Sequence, residues 1–329
     1  MKDIQLLVCV VIAVIVGYVI WKIYWKLQIY FNPHITNFFT PTDIFPIAND
    51  KKDKYGYYEK IGYDEMKEKT VVICTLLRNA ENRIPDIIKQ VEYLGKFFQD
   101  YKVLVVENDS KDATRKLLLN WVKYNPKVEI LGCGINVEKC TLKKAAYLTE
   151  GHSVNKQRID KMAYLRGIYL EKIKEDYHNY DYCFMWDLDL IGSLYIDGVA
   201  NSMGWLSSFP HINVMGSMGM YRWMGLLLFY DTYAYVKENE CTHINYKWWN
   251  DLKKGLGTPL MHKRGSDPVK VESIFSGFCI YKVDALVGLE VDYTTKNECD
   301  IECEHHILNK KIGGVYLNPS MIYLILRND

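Results

Sequence analysis

The sequence carries no excess of charge of either sign: across 329 residues, 41 Lys and Arg stand against 40 Asp and Glu, a net charge of +1. A protein that grips nucleic acid by neutralising phosphates shows a clear basic surplus, so that class is disfavoured. No internal repeat or low-complexity tract is present, and a composition of 49% hydrophobic and 25% charged residues excludes a disordered or fibrous chain. No Gly-rich loop follows the first apolar strand, which argues against dinucleotide-binding and P-loop enzymes. Arginine is scarce, 8 of the 41 basic residues, so each Arg near a strand end carries weight. The nine cysteines are too few to be needed as a scaffold in a chain this long, and Cys74, Cys183 and Cys279 lie inside apolar runs. Reduced, buried cysteines are therefore expected. Aromatics, by contrast, are plentiful: 26 Tyr, 11 Phe and 8 Trp.

The amino-terminal run IQLLVCVVIAVIVGYVI, Ile4 to Ile20, has no charge, and Trp21, Tyr24 and Trp25 follow it with Lys22 and Lys26. This reads as a membrane anchor over residues 1–26 with an interfacial aromatic belt; a small-residue cleavage site is not evident. Lys2 on one side and Lys22 and Lys26 on the other leave its orientation unset. Residues 27–69, with Pro33, Pro41, Pro46 and the charged stretch NDKKDKYGYYEK, read as a stem.

From Thr70 the character changes. TVVICTLL is a continuous apolar run of the buried parallel-strand kind, and NRIPDIIKQVEYLGKFF has helical spacing. YKVLVVEN, KVEILG and YDYCFMWDLDL continue the strands; DSKDATRKLLLNWVKYN, capped by Asp109 or Ser110, and RIDKMAYLRGIYLEKIKE continue the helices. This alternation predicts an open α/β sheet, with residues 70–190 as one half and 191–329 as the other. Ligands in such sheets bind beyond the carboxyl ends of the strands.

The strand ends are where the chemistry gathers. Arg78 and Asn79 end the first strand, Glu107, Asn108 and Asp109 the second, and Asp187 and Asp189 the fourth. Two carboxylates one residue apart after the apolar run CFMW can hold a hard divalent cation, which can bridge a diphosphate. Later, Ser276 and Gly277 open FSGFCIY. Asp300, Glu302, Glu304, His305 and His306 precede the Gly313-Gly314 turn. On a helix from Ile301 to Asn309, the residues Ile301, His305 and Leu308 form one stripe with Glu304 beside them, whereas Glu302 and His306 project sideways. A zinc site from Cys299, Cys303, His305 and His306 matches no standard ligand spacing. Between Gly192 and Gly265, Trp205, Tyr221, Trp223, Phe229, Tyr230, Tyr233, Trp248 and Trp249 could stack on sugars or fill a core. The run GMYRWMGLLLFY is too short and too interrupted by Arg222 to span a membrane.

Four blocks in order resemble GT-A-type glycosyltransferases, close to the inverting family two and a capsule-associated mannosyltransferase-like group. They are VVICTLLRNAENRI, VVENDSKDAT, WDLDL and the carboxylate-rich helix start before a Gly, covering roughly Thr70 to Ile325. The second block departs from the family, with Glu107 and Asn108 where two aspartates are usual and Asp109 where Gly is usual. The resemblance implies a GT-A-like open mixed sheet and transfer of a sugar from a UDP- or GDP-sugar to a glycan or glycoprotein, with Mn²⁺ or Mg²⁺. It further implies Asp187 and Asp189 as metal ligands with Asp187 also near the donor, and for a eukaryotic source a type II anchor of the Golgi or ER kind.

The chemistry requires the same parts. Charge developing on the leaving diphosphate needs a cation or an Arg. Arg78 is expected at the nucleotide and Arg158 at the diphosphate, with Asn79, Asn108, Asp109 and Gly277 around the donor; Arg166 is as readily a surface residue with a Glu partner. Glu107 could accept a hydrogen bond from uracil or guanine. An inverting transfer needs a carboxylate to take the acceptor's proton, for which Glu304 is the first candidate, then Glu302 and Asp300. His305 is expected to ligate the metal, orient that carboxylate, or sit satisfied in the core. Two other classes remain open: a nucleotidyltransferase, and a non-catalytic membrane-tethered sugar-binding protein.

Overall fold

The computed structural model describes residues 9–20, 45–146, 156–223, 226–240, 248–288, 291–293 and 303–325. Among these residues ten strands form one mixed sheet in the order β3-β2-β1-β4-β9-β6-β10-β5, with β7 beside β6 and β8 beside β10. The strands are β1 (Thr70–Leu77), β2 (Asp100–Glu107), β3 (Val128–Leu131), β4 (Tyr182–Trp186), β5 (Gly192–Leu194), β6 (Val214–Trp223), β7 (Leu226–Phe229), β8 (Val269–Lys270), β9 (Phe278–Lys282) and β10 (Val315–Ile325). The run from β3 through β4 is parallel. β9 joins β4 to β6 antiparallel to both. The open α/β sheet expected from the sequence is present, and it is mixed.

The apolar runs are continuous because both faces of the sheet are covered. Val71, Ile73 and Leu77 of β1 point into one core while Val72 and Cys74 point into the other. The first core includes Ile84, Ile87, Val91 and Leu94 of α2 (Ile84–Gly95) and Leu118 and Trp121 of α3 (Thr114–Tyr124). The second takes Leu165, Tyr169, Leu170 and Ile173 from α4 (Lys156–Asp176). Helices α5 (Ile196–Ser208), α6 (Trp248–Met261) and α7 (Glu304–Ile312) complete the principal elements after β4.

Four expectations need correction. Residues 27–69 are not wholly a stem: α1 (Lys52–Glu68) lies within them and packs on α5. A Cβ at Gly62 would overlap Ala200 O, and one at Gly204 would overlap Tyr58 O, so glycines let the two backbones touch. Tyr58 stacks on Trp205 with centroids 3.9 Å apart, and the Asn201 amide donates to Tyr55 O at 3.1 Å. Second, α3 begins at Thr114 and is not capped by Asp109 or Ser110. Asp109 has φ +59°, outside the right-handed helical region, and it is Asp112 whose carboxylate receives the Thr114 amide. Third, Cys133 and Cys140 form a disulfide, so the cysteines are not all reduced. Cys74, Cys183 and Cys279 are free and buried, as expected. Fourth, among the described residues no helix is long and apolar enough to cross a membrane. Residues 9–20 are helical, and the remainder of the expected anchor, 1–8 and 21–26, lies outside the described residues.

Candidate active site

The run YCFMW carries β4 through the sheet centre and delivers Asp187 at its carboxyl end. The Asp187 amide donates to Gly277 O at 2.9 Å, and Tyr323 Oη donates to the carbonyls of Asp187 and Leu190, both at 3.3 Å. Leu188 is buried, whereas Asp189 on its far side is exposed. The enclosing protein and the charge of Asp187 push the Asp189 carboxyl up to about 7. Desolvation likewise raises Asp187, opposed by Arg166. Gly277 has φ +81°, and a Cβ there would come within 3.0 Å of the Tyr323 ring. Its place is thus backbone support for Asp187.

Arg166, on α4, is the hub beneath this strand end. Its side chain is 4% exposed, with Nη2 3.2 Å from Asp187 Oδ1 and Nε 3.3 Å from Glu304 Oε1. Nη1 donates to Tyr169 Oη at 3.2 Å. The guanidinium lies 4.8 Å over the Phe275 ring, whose other partner is the stacked imidazole of His305, with centroids 3.8 Å apart at 10°. Burial and the Arg166 charge hold that imidazole well below its usual range, hence neutral at pH 7. Glu304 opens α7 and is buried; Cys303 Sγ sits 3.7 Å from its Oε2. The structure therefore joins Asp187 and Glu304 through one buried guanidinium. Asp300 and Glu302 lie outside the described residues.

The residues expected around the nucleotide are busy with one another. Glu107 is fully buried: Oε2 pairs with Arg115 Nη1 at 2.9 Å and Oε1 accepts the Ser110 amide at 3.1 Å. Both oxygens are committed, which corrects its assignment as a donor-base contact. Arg115 also donates to Gly134 O at 2.6 Å and Val137 O at 2.7 Å, inside the loop closed by Cys133 and Cys140. Asn108 Oδ1 accepts the Leu142 amide at 2.8 Å. Arg78 Nη2 meets Asp109 Oδ2 at 3.0 Å, and Asn79 Oδ1 accepts the Lys111 amide at 2.8 Å. These contacts lace the β1–α2 loop to the β2–α3 loop, leaving Arg78, Asn79 and Asp109 on a part-exposed rim. Arg158 is exposed on the first turn of α4, close enough for its charge to act on Asp187.

Two residues near the metal motif were not singled out from the sequence. Arg83 donates to Leu190 O at 3.1 Å, and its charge acts on Asp189. Asp231, two residues past β7, accepts the Ser276 amide at 3.2 Å and feels the charges of Asp187 and Glu304. Its signal was present: LLLFYD, like CFMWD, is an apolar strand ending in a carboxylate. Of the aromatic stretch, Trp205 stacks between Tyr58 and Phe209, and Phe229 packs on Tyr235, so both serve the core. The side chains of Trp223, Trp248 and Trp249 are not among those described.

Among the described residues no three His, Cys, Asp or Glu side chains gather as a metal cage. Among these residues His305 is not grouped with Asp187 and Asp189, and Cys303, His305 and His306 are not grouped as a zinc site; Cys299, the fourth residue of that candidate, lies outside the described residues. The pair Asp187 and Asp189 still fits a hard cation that brings most of its ligands with it, as Mg²⁺ does with substrate phosphates. Both are oxygen donors whose ionised forms are disfavoured by enclosure and by each other's charge, a cost that a cation offsets.

No protein-family model matches the chain, and no curated protein matches it. Solved structures do. The mannosyltransferase PcManGT from Pyrobaculum calidifontis, in complex with GDP-Man and Mn²⁺, is 14% identical with a TM-score of 0.45, over 95% of this chain and 66% of that one. S. aureus TarS 1-349 in complex with UDP-GlcNAc is 11% identical with a TM-score of 0.43, over 79% of this chain and 59% of that one. GalNAc-T7 with UDP, GalNAc and Mn²⁺ is 11% identical with a TM-score of 0.43, over 86% and 53%. The chain spans about two thirds or less of the length of these proteins.

Proposed function

We propose that this protein is a metal-dependent glycosyltransferase of the GT-A kind, moving a sugar from a nucleoside diphosphate sugar to a glycan or glycoprotein acceptor. The observation that carries the reading is the strand-end cluster: Asp187 and Asp189 at the carboxyl end of β4, with Asp187 tied through Arg166 to Glu304. A nucleotidyltransferase would use a Gly-rich loop after β1, where this chain has Arg78, Asn79 and Glu81 laced to the next loop.

Asp187 and Asp189 would hold Mn²⁺ or Mg²⁺, which neutralises the leaving diphosphate. Arg78, Asn79 and Asp109 on the rim would meet the nucleotide, and Arg158 would meet the phosphates. Arg166, fixed by two carboxylates and a tyrosine, keeps Asp187 from swinging into the core when its charge is unmet. Glu304 serves that framework. The paired Cys133 and Cys140 favour an oxidising compartment for the folded domain, which for a eukaryotic source is the lumen of the ER or Golgi.

The decisive measurement is binding of UDP- and GDP-sugars with and without Mn²⁺, in the wild-type chain and in Asp189→Ala. Metal-dependent affinity should be present in the first and lost in the second, whose melting temperature stays within a few degrees. Equal metal-dependent binding by a folded Asp189→Ala removes the assignment.

A further inference from the structure

Among the described residues, a second carboxylate besides Glu304 of α7 is placed to move a proton. After β7 the Tyr230 amide bonds back to Gly219 O at 2.9 Å, and Asp231 then adopts φ +60°. Ser276 has φ +61° and Gly277 φ +81°. Non-glycine residues in this region cost on the order of 1 kcal/mol or more each and persist only where surrounding contacts enforce them. Here they meet at one turn. Asp231 Oδ2 accepts the Ser276 amide at 3.2 Å, and the carbonyl of the following residue, Gly277 O, accepts the Asp187 amide at 2.9 Å. Ser276 is pinned in turn: its Oγ donates to Tyr230 O at 3.0 Å and accepts the Gly219 amide at 3.1 Å. Asp231 and Asp187 are thus fastened to opposite ends of a two-residue turn.

Their surroundings differ from those of Glu304. Glu304 is 7% exposed, and its Oε1 faces the Arg166 guanidinium at 3.3 Å, so it is held in a buried ion pair. Asp231 is half-buried, and its hydrogen-bond donors are the neutral amides of Ser276 and Ala234, the latter at 3.4 Å. Among the described residues no Lys, Arg or His is ion-paired with it. A carboxylate that is reachable, fixed and unpaired with a cation is the better proton acceptor.

We propose that Asp231 is the base that takes the acceptor's proton, a reading that rests on the sugar transfer proposed above. In the step, the acceptor oxygen bonds to the anomeric carbon from the side opposite the diphosphate. The bond from that carbon to the phosphate oxygen breaks, its electron pair leaving with the nucleoside diphosphate, and the acceptor's proton passes to a carboxylate oxygen of Asp231.

The test compares a nucleophile that must lose a proton with one that has none. Nucleoside diphosphate release from a panel of UDP- and GDP-sugars is measured with water and with azide as acceptor. In Asp231→Asn, hydrolysis should fall by about 10²–10⁴ while transfer to azide stays within about threefold of wild type, giving an inverted glycosyl azide. In Glu304→Gln both reactions should fall together, because the support of Arg166 and Asp187 is lost. Undiminished hydrolysis in Asp231→Asn, or equal loss of both of its reactions, overturns the proposal. A wild-type chain that releases no nucleotide from any donor removes the sugar-transfer reading and this inference with it.

Discussion

Arg166 shows how much one side chain can decide. It bridges carboxylates 21 and 138 residues away in sequence, in a buried setting. Removing one partner of a buried ion pair leaves an uncompensated charge and costs about 3–5 kcal/mol. Arg166→Met should therefore lower unfolding free energy by about that much, and adding Glu304→Gln should restore part of it; chemical denaturation of both variants checks this. Asp231 offers a second test. Its folded carboxyl, at about 7, lies above the ordinary 3.8, so between these values the native protein holds a proton that the unfolded chain has released. Its contribution to stability falls as pH rises through that window. Asp231→Asn should gain stability relative to wild type between pH 4.5 and 8, by on the order of 1–3 kcal/mol, seen as a melting-temperature difference that opens with pH. The sequence pointed to Asp187 and Asp189 because an apolar run ended in them. It pointed equally to Asp231, but the run before it was weighed as a membrane span rather than a strand. Glu107 misled for the opposite reason: nothing in VVENDS reveals that Arg115, the second residue of the next helix, will take its carboxylate.

Among the elements, β1, β2, β4 and α2 were legible because their apolar residues follow the period of one secondary structure. Helix α1 was not, because its inner face is Tyr55, Gly62 and Met66 rather than an aliphatic stripe. Glycine contributes nothing to hydrophobic periodicity, yet here it sets how closely two helices approach. Gly204→Val should push α1 from α5 and cost about 1–3 kcal/mol as an overpacking change, or more if Tyr58 cannot shift. Gly56, on the same helix, has nothing within 4 Å of where a Cβ would lie. Gly56→Ala should stabilise by about 0.5–1 kcal/mol, so thermal melts of the two variants should move in opposite directions.

Across the whole molecule, the rim of Arg78, Asn79 and Asp109, the disulfide loop and the Asp187–Asp189 pair lie in the half built on β1 to β4, whereas Asp231, Ser276, Gly277 and Glu304 come from the other half. The short loop closed by Cys133 and Cys140 receives Arg115, which in turn holds Glu107. Reducing it should cost about 2–3 kcal/mol by the chain-entropy account. The loss should appear as a lower melting temperature in dithiothreitol and in Cys133→Ser, with metal-dependent binding retained below the transition.

The placement of β9 has a consequence for how the chain is made. Strands β1 to β4 can pair with one another as soon as Trp186 leaves the ribosome, but the free edge of β4 has to wait for Phe278. Residues 187–277 intervene, which at about 5–20 residues per second is roughly 5–18 s of synthesis. Throughout that interval a fully apolar strand presents unpaired amides and carbonyls on one side, the condition under which nascent chains pair with the wrong partner. Successful biogenesis therefore depends on shielding that edge during translation, and slow codons or stalls between Asp187 and Gly277 should reduce yield more than the same delays placed before Thr70.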